Sequence, residues 1–143
     1  SDRLEGPTAL ALHGRNLVVA SWGRITDPIT MATGSAGKLL RVALETKAIA
    51  PVGGSPIGHL DGVVVTEDRY LVSDRVAGTL LSVPSIGTAT LIRGGLKTPA
   101  AIAFAPRRKV VAVPQYDADD VLFVSLKPPK PSRERATTAE PRS

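Results

Sequence analysis

At 143 residues the chain has room for one domain with a real core, and with no cysteine it has neither disulfides nor a thiolate metal site. It is 43% apolar but only 3% aromatic, so that core is built from Val, Leu, Ile and Ala, and no apolar run approaches the roughly 20 residues of a membrane span. Of the net charge of +5, the segment from Lys127 onward carries +3, and the body lacks the clustered basic and stacking aromatic residues that a nucleic-acid groove needs.

From Gly6 the sequence GPTALALHGRNLVVASWG gives two apolar strands, near 8–12 and 17–21, joined by the polar turn His13-Gly14-Arg15-Asn16. A long loop, Arg24 to Ala36, precedes further strands near 38–44 and 48–52. The clearest pattern is Gly58 to Val83, GHLDGVVVTEDRYLVSDRVAGTLLSV, with strands expected near 62–66, 70–73 and 79–83 and a fourth near 88–93. Strand-sized β-rich runs bounded by Asp, Gly and Ser clusters read as an antiparallel meander. Four such strands in about forty residues are one blade of a β-propeller.

TPAAIAFAPRRKVVAVPQ repeats the opening of the unit from Thr98, with strands expected near 100–104, 109–113 and 120–126. Pro7, Asp61 and Pro99 are placed at equivalent points. The wider first spacing is explained by the Arg24–Ala36 insertion, which stands where the central unit has Arg75 to Ala77. The chain is thus expected to be all-β: a β-propeller of about three blades, over 6–54, 55–95 and 96–126, with a disordered Pro/Lys/Arg-rich tail over 127–143. Three blades do not close a ring, since propellers have roughly four to eight. The expected partners are therefore further blades, from a longer parent chain or from a second copy, and the start at Ser1 is read as a trimmed or partial terminus.

Strand alternation decides which connections meet. One end gathers Trp22, the Arg24–Ala36 loop, His59, Leu60, Asp61, Asp74, Arg75 and the segment Gln115 to Asp120. The other holds His13 to Asn16, Glu67 to Arg69 and Pro106 to Arg108, which read as solvated turns. Ligand sites favour the mouth of a central channel, so the first end is the candidate face.

Leu60-Asp61-Gly62 followed by Tyr70-Leu71-Val72-Ser73-Asp74, with Gly37-Lys38-Leu39-Leu40-Arg41-Val42 and Thr98-Pro99-Ala100-Ala101-Ile102, resembles the SMP-30/gluconolactonase/LRE-like six-bladed propellers over about residues 5 to 126. The resemblance implies the C-terminal half of such a propeller and an extracytoplasmic (periplasmic or secreted) location. It also implies a divalent metal, Ca or Zn, at the channel mouth, held by Glu, Asn and Asp, which polarises a lactone carbonyl and activates water. Asp61 matches the family's Asp. The Asn expected near Gly6-Pro7-Thr8 is not there, and the Glu belongs to an earlier blade.

Two functions follow as expectations. The leading one is a ligand- or protein-binding propeller whose ligand-facing residues are Trp22, His59, Asp74 and Arg75. The alternative is a metal-dependent lactone or ester hydrolase with Asp61 as metal ligand. Each residue also has a plainer reading. Asp61 can set the turn into its strand through backbone N–H groups, and Asp74 can cap a turn. His59 can be a solvated loop residue, and Trp22 can pack under the long loop. Ser21, Ser73 and Ser125 lack the Gly-x-Ser-x-Gly context of a nucleophile. Asp117-Ala118-Asp119-Asp120 lacks the spacing of a calcium loop, and the Gly pairs at 53–54 and 94–95 open no phosphate-binding helix.

Overall fold

The computed structural model describes residues 4–54, 56–128 and 130–131. Strand follows strand, and helical geometry is confined to short 3-10 turns such as Tyr116–Ala118. No helix among these residues is long and apolar enough to cross a membrane. The tail expected over 127–143 lies for the most part outside the described residues.

Three antiparallel meanders and one small hairpin account for the strands. The first sheet orders β1 (Pro7–His13), β2 (Asn16–Ser21), β5 (Leu39–Ala43) and β6 (Ile49–Val52) side by side. Between β2 and β5, the stretch expected to be a loop folds as a hairpin of β3 (Ile25–Asp27) and β4 (Ala32–Thr33). Asp27 makes its turn: Oδ1 accepts the Ile29 amide at 2.8 Å, a local bond that competes well where no core contact decides. The second sheet runs β7 (Leu60–Val65), β8 (Arg69–Asp74), β9 (Thr79–Pro84) and β10 (Thr90–Arg93). The third has β11 (Ala103–Ala105), β12 (Val110–Gln115) and β13 (Asp120–Ser125).

The sheets stack face to face. Period-two alternation sends Tyr70 and Val72 of β8 toward the first sheet and Leu71 toward the third. One aliphatic core therefore joins Val18, Ala20, Leu39 and Val52 to Leu60, Val63, Tyr70, Val72 and Val83. The other joins Leu71 and Leu80 to Leu96, Val111, Val113 and Val124. Side-chain hydrogen bonds tie the layers at their margins. Thr8 Oγ1 donates to the Leu60 carbonyl at 2.6 Å, Ser73 Oγ to the Ala100 carbonyl at 2.7 Å, and His13 Nδ1 meets the Tyr70 hydroxyl at 2.8 Å. His13, expected in a plain solvated turn, thus bridges two sheets.

In all three sheets the first strand carries one residue more than its partner. The registers are Pro7↔Ser21 then Ala9↔Ala20, Leu60↔Asp74 then Gly62↔Ser73, and Pro99↔Gln115 then Ala103↔Ala112. The extra residues are Thr8 and Asp61, with a third between Pro99 and Ala103. Pro7 and Pro99 therefore match Leu60 and not Asp61, one residue from the expected equivalence. A bulge is invisible to an alignment by residue type, because it changes pairing without changing composition.

The backbones of the second and third sheets approach closely at Gly62. A Cβ there would stand 2.8 Å from the Ile102 amide nitrogen and 2.9 Å from the Ala100 oxygen, both backbone atoms that cannot swing aside. Gly62→Ala is expected to lower stability by about 1–3 kcal/mol through overpacking, read as a lower urea midpoint at unchanged slope. Leu60→Ala, at a fully buried position, should cost about 2–5 kcal/mol in the same measurement.

Candidate functional site

The connections that follow the second strand of each sheet meet at one end of the molecule. Because Ser21, Asp74 and Gln115 are equivalent in the register, so are the residues after them, Trp22, Arg75 and Tyr116. These three large side chains form a row across the sheets, with His59 and Asp61 beside it.

Arg75 is its centre. Its guanidinium Nη1 donates to Asp61 Oδ2 at 2.9 Å and its Cζ lies 5.3 Å from the Tyr116 ring centroid. The two charged side chains keep 35% and 21% of their surface open, so the pair is partly wet and its net contribution is modest. Guanidinium over an aromatic face adds a cation–π contribution of about 0.5–1 kcal/mol at exposed sites. The bulge at Asp61 brings its carboxylate to Arg75, since an extra residue turns a side chain out of the strand's alternation.

The other half of the row is built by the β3–β4 hairpin. Trp22 packs edge-on to His59, centroids 5.2 Å apart, and its Nε1 donates to the Met31 carbonyl at 3.2 Å. His59 Nε2 bonds the Thr33 hydroxyl at 2.9 Å, and the His59 carbonyl accepts the Arg75 amide at 3.0 Å. The hairpin, Trp22, His59, Arg75, Asp61 and Tyr116 therefore form one connected surface. Asp27, which makes the hairpin turn, is held below the usual carboxylate pKa by the Ile29 amide first and by Thr30 next. That depression stabilises the ionised hairpin above the unfolded carboxyl value of about 3.9 and is lost as pH falls through the lower folded value. Acidification below about pH 4 should therefore shift the Ile29 and Thr30 amide resonances while leaving those of the β8 core in place.

Asp74 does different work. It is 5% exposed, and its Oδ1 accepts the amides of Val76 at 3.0 Å and Ala77 at 2.9 Å, while its carbonyl accepts Gly78 at 3.0 Å. Its Oδ2 lies against Gly58, where any Cβ would collide with it. Asp74 is a turn former tucked beneath the surface.

The expected face is thus assembled, with Trp22, His59, Asp61 and Arg75 linked and Asp74 below them. Tyr116 and Thr33 were not singled out by sequence reasoning. Tyr116 had a readable signal in its place one residue past the second strand, where Trp22 and Arg75 also stand. Thr33 had none, since its role depends on the hairpin folding back over His59. The serines are spent on structure: Ser21 Oγ accepts the Lys38 amide at 2.9 Å, Ser73 bonds Ala100, and Ser125 Oγ accepts the Lys127 amide at 3.3 Å. Around Asp117, Thr98 Oγ1 donates to its carboxylate and Gln115 Nε2 donates to Asp120 at 2.8 Å. Among the described residues no cluster of three His, Cys, Asp or Glu side chains is placed to hold a metal ion.

Compared with known proteins, the chain matches no family model and no curated sequence.

The role of Asp74 separates cleanly in two variants. Asp74→Asn keeps an oxygen for both amide bonds and should shift the unfolding midpoint little. Asp74→Ala leaves two turn amides without their acceptor and should cost about 1–3 kcal/mol in denaturant titration.

Proposed function

We propose that the three stacked sheets are consecutive blades of a β-propeller, and that the end carrying Trp22, His59, Asp61, Arg75 and Tyr116 is a non-catalytic binding face for a polar ligand. Three features support the propeller. Each sheet is a meander in chain order, the first strands of neighbouring sheets lie against one another, and each pairing of first and second strand has one extra residue near its start, in the third sheet between the Pro99 bridge and β11. The resemblance to the gluconolactonase-like propellers points the same way.

The observation that carries the binding reading is the partner of Asp61. In a metal site that carboxylate would face a cation shared with other oxygen ligands. Here its Oδ2 faces the guanidinium of Arg75 at 2.9 Å, which already supplies a fixed positive charge. The equivalent residue on the first sheet is Thr8, whose hydroxyl is bonded to the Leu60 and Ala20 carbonyls. It therefore stands in the bulge position with its donor already committed. A guanidinium has five donors in a planar fork, so Arg75 retains N–H groups for a carboxylate or a pair of hydroxyls while held by Asp61. Tyr116 lies against it with flat apolar surface, and Trp22 packs on His59, whose carbonyl holds the Arg75 amide. The class of ligand this suits is a sugar acid or another small hydroxylated anion.

Two measurements decide between binding and lactone hydrolysis. In two-dimensional NMR with glucuronate as probe, the Trp22 indole and Arg75 Nε resonances should shift together, and Arg75→Ala should abolish the response. Silence of both resonances would remove the binding face. Calorimetric titration of Ca²⁺, Zn²⁺ and Mn²⁺ into wild type and Asp61→Asn should show no affinity that depends on Asp61. Metal binding lost in Asp61→Asn, together with metal-dependent lactone hydrolysis, would establish the hydrolase instead.

A further inference from the structure

The two junctions between sheets end differently on the side away from the candidate face. At the first, His13 of the first sheet meets Tyr70 of the second, Nδ1 to hydroxyl at 2.8 Å, with the two rings edge to face and their centroids 5.4 Å apart. The pair bridges the mouth of that core. By register, Thr66 of the second sheet stands where the first has His13, and Val111 of the third stands where the second has Tyr70. Thr66 Oγ1 is turned back onto the Arg69 carbonyl at 2.9 Å, and Val111 ends in methyl groups, so neither reaches across. The mouth of the second junction is instead a cleft of about 430 Å³, a volume ordinary for a small-molecule site.

The cleft has an apolar floor and a wall of hydrogen-bond donors. Ile92 of the second sheet, with Phe104 and Leu126 from the third, lines it and packs on the core below. Ser82 is 3% exposed; its Oγ accepts Arg69 Nη1 at 3.0 Å, and its own proton has no acceptor among the described residues. Arg69 also gives Nε and Nη2 to Asp68 at 3.3 and 3.1 Å, which leaves two of the five N–H donors of a guanidinium. Lys109, in the turn before β12, has no ion-pair partner among the described residues. The Asp68 carboxyl is held below its usual range by the Arg69 hydrogen bond first and by the Lys109 charge in small part, which places that ammonium near the pair. Asp68 is thus taken up by Arg69, and Glu67 is exposed in the turn at the rim.

We infer that this cleft is a second ligand site, for a small aromatic monocarboxylate whose ring seats against Ile92, Phe104 and Leu126 and whose carboxylate accepts from Arg69, Lys109 and Ser82. Three observations select that class. Ser82, Arg69 and Lys109 all have donors to spare, and two of them are cations, which suits an anionic acceptor. The first junction shows what such a mouth accommodates, since two rings occupy it. Glu67 at the rim disfavours a second negative charge on the ligand. The site stands apart from the sugar-acid face and from the propeller reading, because it rests only on the register and contacts of these sheets.

Two-dimensional NMR of the full chain tests this, with benzoate as probe and benzyl alcohol as its uncharged match. Benzoate at millimolar concentration should shift the Arg69 Nε, Ser82 amide and Phe104 ring resonances and leave the Trp22 indole and Arg75 Nε in place. Benzyl alcohol should bind about tenfold more weakly or worse, a comparison on wild type that needs no variant. Lys109→Asn should weaken benzoate binding about tenfold through loss of a charge-assisted bond. Lys109 is exposed at φ 51°, a geometry that Asn tolerates, and circular dichroism verifies that the fold is kept. Arg75→Ala should bind benzoate as wild type does. No response at the cleft, equal affinity for the alcohol, or no effect of Lys109→Asn would overturn the site. Loss of the response in Arg75→Ala would overturn it as well, since the probe would then sit on the face at the other end.

Discussion

Strand β8 is buried on both of its faces, and the rest of the molecule is arranged around that burial. From Tyr70 to Asp74 every residue is buried, which is unusual for an antiparallel strand, where one face commonly meets water. Tyr70 and Val72 hold the first sheet and Leu71 holds the third, so a single strand belongs to two hydrophobic cores. Polar atoms this deep need partners. Ser73 finds one in the Ala100 carbonyl, the Tyr70 hydroxyl finds His13, and Asp74 finds two turn amides. Each bond also fixes an adjacent sheet or turn in place.

The surface at the strand ends depends on that fixation. Asp74 shapes the turn from which Arg75 emerges, and the Arg75 amide is tied back to His59 at 3.0 Å. The bulge then brings Asp61 to the guanidinium, and the neighbouring sheet places Tyr116 beneath it. The candidate face is therefore a product of stacking: residues far apart in the chain become neighbours because they hold the same position in successive meanders. Such a site is held by rigid strand ends, and the added β3–β4 hairpin closes one side of it around Trp22 and His59.

The stacking rule also explains why the outermost faces are apolar. A sheet that sits between two others needs hydrophobic residues at both alternations, and the first and third sheets keep that pattern: Leu10, Leu12, Val19 and Leu40 share the outer face of the first, with Val19 and Leu40 buried, and Ala103, Ala112 and Phe123 share that of the third. Leu10 and Leu12 hold the places of Val63 and Val65 yet are more than half exposed, whereas Phe123, also more than half exposed, stands where the second sheet has the buried Ser82.

Strand content, strand order and the repeat were legible in the amino-acid sequence, because alternation of Val, Leu and Ala with polar turns such as Asp74 to Gly78 is a local signal. The gathering of Trp22, His59, Asp61, Arg75 and residues 115–120 at one end followed from strand direction alone. The tertiary structure decided what was not local. Pairing, not composition, revealed the bulges and so moved Asp61 one position out of the expected equivalence. The fold-back of the hairpin turned an expected loop into the cover of His59. The choice between Asp61 and Asp74 was also tertiary: both are Asp at strand ends, and only their neighbours make one the partner of Arg75 and the other a buried turn former. Side-chain period and turn chemistry act over two to four residues, whereas the charge and burial of a site are set by atoms that the chain brings together from dozens of residues away.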